Sequence, residues 1–119
     1  MFYVSGDEKV KEVKVRARGG EGSTTFENFF PEGKMPKSYK VFAEMVLEPG
    51  CSVGQHEHHG ESETYYVLSG TGEINVNGET LQAKPGDVAV CHSGSFHSAK
   101  NTSDKELRIL AMIVLEPAG

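Results

Sequence analysis

Tryptophan is absent from this 119-residue sequence, and only two cysteines, Cys51 and Cys91, are present. Two cysteines make no disulfide framework, so a hydrophobic core has to hold the fold. No stretch approaches the ~18 apolar residues of a membrane-spanning helix. The start, Met1 to Lys9, lacks the apolar segment behind a basic end that a secretory signal needs. The expected compartment is therefore the cytoplasm, with no membrane partner. Positive charge is also short, 12 Lys and Arg against 17 Asp and Glu, for a formal net charge of −5. No basic face is implied, and nucleic acid is not an expected partner. The acidic excess says little about a small ligand, because the local charge of a bound metal overrides the global sign.

What is present fits one soluble domain spanning residues 1–119. The apolar share of 37% and charged share of 24% exclude a disordered chain. A chain of this length buries roughly two-thirds of its unfolded surface. Helix signals are few. Short apolar or alternating runs punctuated by Gly and Pro predict an all-β chain of about nine or ten strands, a sandwich or barrel. Residues 10–18 predict an edge strand broken by Gly19, Gly20 and Gly22, and 23–30 a second strand. Pro31 to Ser38 reads as a loop, and Tyr39 to Leu47 as a strand closed by Glu48-Pro49-Gly50. Glu63 to Leu68 is rich in β-formers. Glu73 to Leu81 reads as a hairpin turning at Asn77-Gly78, a pair suited to the positive φ of a type I′ turn. After the turn Lys84-Pro85-Gly86-Asp87, Val88-Ala89-Val90 reads as a buried strand. Leu107 to Leu115 is the last.

All five histidines lie between positions 56 and 97, three of them in Gln55-His56-Glu57-His58-His59. On a strand, residues i and i+2 share a face. His56 and His58 therefore project together, with Glu57 and His59 opposite. Two imidazoles on one face are natural ligands for a divalent ion. Glu63, beyond the loop Gly60-Glu61-Ser62, can reach the same pocket if that loop turns back. His97, after Ser93-Gly94-Ser95, is a candidate fourth ligand. The competing reading is a solvated His-rich loop, the preferred one for His59.

These residues resemble the two motifs of the cupins. The first is Gly, five residues, His-x-His, three or four residues, Glu, six residues, Gly, and Gly50, His56, His58, Glu63 and Gly70 meet every position. The second is matched by Gly86, Gly94, His97 and Asn101, with His92 where the motif has proline. The resemblance covers about 39–115. It implies a double-stranded β-helix, or jelly-roll, cupin barrel with one divalent metal held by His56, His58, Glu63 and His97. It also implies a homodimer, with the N-terminal strands of 10–30 at the interface, which would relieve an exposed edge.

Three neutral imidazoles and a carboxylate sum to −1, so a divalent ion leaves the site near +1 and attractive to an anionic oxygen ligand. The mixed nitrogen and oxygen set suits Fe, Mn, Ni, Co, Cu or Zn better than Ca²⁺ or Mg²⁺. Four protein ligands on a six-coordinate ion leave two positions for a small bidentate ligand or substrate. Dioxygenase, isomerase and decarboxylase chemistry stay open. The alternative is a non-catalytic small-ligand-binding or sensor protein. A metal-free barrel would leave buried polar groups at high cost. Of the other residues, Tyr65 shares Glu63's parity and is weighed between core and ligand contact. Phe96 reads as core or pocket wall, Asn101 as structural, and Cys51 and Cys91 as buried thiols. His92 reads as a loop residue, against a proton-transfer role at the barrel mouth.

Overall fold

A computed structural model describes residues 3–116 of the chain. Among them are ten strands: β1 (Val10–Val15), β2 (Ser23–Asn28), β3 (Tyr39–Leu47), β4 (Ser52–Glu57), β5 (Glu61–Ser69), β6 (Gly72–Val76), β7 (Glu79–Ala83), β8 (Val88–Cys91), β9 (Phe96–Lys100) and β10 (Leu107–Leu115). Two 3-10 turns, Gly6–Glu8 and Ala17–Gly19, are the only helical pieces described. The strands form a six-stranded sheet, β1-β2-β3-β10-β5-β8, and a four-stranded sheet, β4-β9-β6-β7. Every pairing is antiparallel. This is the expected all-β jelly roll.

The core lies between the sheets and follows from period-two alternation. On β10, Leu107, Ile109, Ala111 and Ile113 point inward and are buried, while Arg108, Leu110, Met112 and Val114 point outward. Leu107, Ile109 and Ala111 meet Met45 and Leu47 of β3 and Tyr65 and Val67 of β5 in one cluster. Burying each large apolar side chain contributes roughly 1.5–3 kcal/mol. At the β6–β7 hairpin, Asn77 and Gly78 have φ of 52° and 87°, the geometry expected of that dipeptide.

Two expectations need correction. Val88-Ala89-Val90 is not a buried strand: Val88 and Val90 are 56% and 38% exposed, and only Ala89 and Cys91 point inward. Strand β8 sits at the sheet edge with one face in solvent, so a run of apolar residues does not signal burial on both faces there. The predicted strand over 10–18 also ends early, at Val15. Arg16 and Arg18 take left-handed backbone angles, φ 52° and 53°, and turn the chain across β4 as a short strap.

Candidate metal centre

Strand β4 supplies His56, and a bulge aims it. Val53 pairs with Ala99 while His56 pairs with His97, so three steps on β4 match two on β9. The extra residue reverses the alternation. Val53 and His56 both face inward as a result. His58 follows the strand end. It is fixed by its N–H donating to Ser95 O at 3.1 Å and its C=O accepting from Gly94 N at 2.7 Å. His97 comes from β9 on the same sheet. Glu63 comes from β5 on the other sheet, beside Cys91 and Ile113. His92 does not perturb the turn that carries His97: Ser95 N–H still donates to His92 O at 2.9 Å.

The four side chains meet inside the barrel, with His58, Glu63 and His97 fully buried and His56 nearly so. Their donor atoms all lie within 4.8 Å of one another. His97 Nε2 is 3.0 Å from His56 Nε2 and 3.1 Å from His58 Nε2. Glu63 Oε1 is 2.8, 3.1 and 3.6 Å from Nε2 of His97, His58 and His56. Ligand bonds of about 2.1 Å put neighbouring donors about 3.0 Å apart on an octahedron and about 3.4 Å on a tetrahedron. The observed spacing fits either.

The tautomers fit as well. His56 Nδ1 donates to Gly54 O at 2.8 Å, and His58 Nδ1 donates to Glu61 Oε2 at 2.7 Å. Both partners only accept, so each Nδ1 carries the proton and each Nε2 turns a lone pair toward the common centre. Lone pairs and a carboxylate crowded in this way repel unless a cation or protons lie among them. The pKa shifts reflect this crowding. The hydrogen bond to Glu63 leads in raising the His58 pKa above its usual 6.5. Burial dominates at His97 and lowers its pKa. Burial alone would raise the Glu63 carboxyl, but the close imidazoles of His56, His58 and His97 together hold it well below the usual range. Buried His97 Nδ1 has no hydrogen-bond partner.

Tyr65 lies inside, its ring stacked on His97 at 4.5 Å and 14°. Burial, reinforced by the Glu63 charge, pushes its phenol pKa well up. The same causes push the Cys91 thiol up to about 11. Asn101 is structural: its amide donates to Leu47 O and Lys105 O, and its carbonyl accepts from Ser103. Phe96 is half-buried. His59 makes an exposed contact with Glu57. His92 is exposed, 3.8 Å from Glu116, a loop residue away from the centre.

A cavity of about 210 Å³ opens beside the four residues, walled partly by Tyr65, Phe26, Met45 and Val53. It is smaller than the roughly 300–1,000 Å³ of drug-sized sites and suits a ligand of few atoms. Sequence reasoning missed its other wall, Lys14 and Arg18, and the Glu61 contact to His58. The signal for the strap was the Arg18-Gly19-Gly20 break, which reads only as a strand end.

Comparison with known proteins agrees with this geometry. The profile described as a cupin domain matches residues 43–113. An oxalate-binding protein of Thermotoga maritima is 42% identical over 114 residues, 96% of this chain and 94% of that one. A 5-nitrosalicylic acid 1,2-dioxygenase of Bradyrhizobium sp is 36% identical over 61 residues, 51% of this chain but 29% of that enzyme. The crystal structure of a predicted oxalate decarboxylase from Thermotoga maritima superposes with a TM-score of 0.89 at 38% identity, covering 97% and 100% of the two chains. A cupin 2 conserved barrel domain protein from Salinispora arenicola shares the fold at 22% identity and a TM-score of 0.68, covering 87% and 81%. With the barrel, both motifs and the profile in agreement, this chain belongs to the cupin family.

Proposed function

We propose that His56, His58, Glu63 and His97 hold one divalent transition metal, and that the loaded pocket binds a small dicarboxylate of the size of oxalate. The observation that carries this is the convergence of three imidazole nitrogens and a carboxylate on one buried point, beside a cavity too small for a large ligand. The Thermotoga maritima relative, named for oxalate binding, supports the ligand class. When bound, the metal supplies a positive centre for oxygen ligands. The protein's part is to orient the donors through Gly54 and Glu61 and to keep Tyr65 protonated against His97.

The pocket favours binding over turnover. Glu63 and the histidines serve as ligands, and burial keeps the Tyr65 phenol protonated. Among the described residues lining the cavity, that leaves no carboxylate besides Glu63 to act as a general base. A catalytic reading, oxidative or decarboxylating, draws on the relatives described as a dioxygenase and a predicted decarboxylase. The test is elemental analysis of protein purified without a histidine tag, then calorimetric titration with oxalate. The expected result is one metal per chain, with oxalate bound only by loaded protein. Equal binding by metal-stripped protein would overturn the reading, and steady loss of oxalate would favour catalysis.

We further propose a homodimer formed through the N-terminal strands. Strand β1 is a sheet edge with every residue exposed, including Val10, Val13 and Val15. A second copy covering that edge would remove a site of uncontrolled strand pairing.

A further inference from the structure

The strap between β1 and β2 is held in a conformation that side chains resist. Arg16 and Arg18 both have left-handed backbone angles, which non-glycine residues adopt only at a cost. Several contacts impose this. Arg16 N–H donates to Gly22 O at 2.7 Å, Gly20 N–H to Ala17 O at 2.9 Å, and Ser52 N–H to Glu21 O at 2.9 Å. Ala17 is buried in the core. The strap backbone also presses on β4 at the bulge: a Cβ on Gly54 would collide with Arg18 O, and one on Gly20 with Ser52 O. The strap is thus clamped to the residues that aim His56.

The clamp places Arg18 on the cavity wall, with Lys14 beside it. Lys14 lies over the Phe26 ring at 4.9 Å. Arg18 forms no ion pair with any described residue. Its positive charge reaches Tyr65, at the buried end of the same cavity. The acidic group facing the cavity is Glu63, already engaged by three histidines. An exposed, unpaired arginine, fixed at its backbone by the strap, therefore borders the same small cavity as His56, His58 and Glu63. A ligand filling that space borders both the cluster and a guanidinium donor fork.

We infer that Arg18, assisted by Lys14, recognises the second carboxylate of a dicarboxylate whose first end lies at the metal centre, and so selects dicarboxylates over monocarboxylates. This rests on the metal-and-anion reading above. The test uses manganese-loaded protein, Arg18→Asn and Arg18→Lys, titrated with oxalate and with acetate. Asn removes the charge yet tolerates left-handed angles. Arg18→Asn is expected to weaken oxalate roughly ten- to hundredfold. Acetate binding, manganese content and melting midpoint should change little. Arg18→Lys should recover part of the oxalate affinity, keeping charge without the fork. Unchanged oxalate affinity in Arg18→Asn would overturn the role of Arg18 alone. So would an equal loss for acetate, or loss of manganese. If the loaded wild-type protein bound no oxalate, the binding reading would fall and this inference with it.

Discussion

A proton on His58 and a metal ion compete for the same nitrogen. His58 donates from Nδ1 to Glu61, and its Nε2 faces Glu63 at 3.1 Å. The hydrogen bond to Glu63 keeps it protonated above its usual 6.5. Metal uptake below the raised His58 pKa should therefore expel a proton, and affinity should fall by about tenfold per pH unit there. Sequence reasoning places this loss below about pH 6, the range of an unperturbed imidazole; the Glu63 contact moves it upward. Calorimetry in buffers of different ionisation enthalpy measures the released proton, and a pH-independent affinity between 6 and 8 would count against His58 as a ligand. At this scale the convergence of His56, His58, Glu63 and His97 was legible from motif spacing, while the bulge that aims His56 and the end of β4 before His58 were not. Glu61 and Arg18 were not legible either: Glu61 reaches His58 from the first residue of β5 and Arg18 lines the cavity from the strap, and both positions are set by contacts distant along the chain.

Among the elements, β4 contributes most to the site through its bulge. Strand number and approximate limits follow from Gly and Pro punctuation and from apolar alternation. An added residue in one strand leaves no periodic mark, and neither does the edge or central position of a strand; hence the misreading of Val88 and Val90. The bulge needs Gly54, because the Arg18 carbonyl occupies the space of a Cβ. Gly54→Ala should destabilise by about 1–3 kcal/mol and weaken metal binding by disturbing His56. Gly6→Ala, where a Cβ would meet nothing within 4 Å, is the control and should melt with wild type. Equal melting midpoints and equal metal affinity for Gly54→Ala would show that the strap and bulge are not tightly apposed.

At the scale of the whole molecule, the proposed dimer has a direct test. Wild-type protein should sediment as a dimer at micromolar concentration, and Val13→Lys with Val15→Lys should shift it to monomer by charging the β1 edge. A monomeric wild type would remove the proposal. The two-layer architecture was legible from strand count and composition, whereas assembly depends on which edge remains uncovered, a property of the finished sheets. The division of the centre between layers has a broader meaning. His56 and His97 sit on the smaller sheet, His58 just past the end of its strand β4, and Glu63 on the larger, so an ion seated among them would act as a rivet through the sandwich. Loading and unloading it would then be felt as tightening and slackening of the entire barrel, far beyond the pocket.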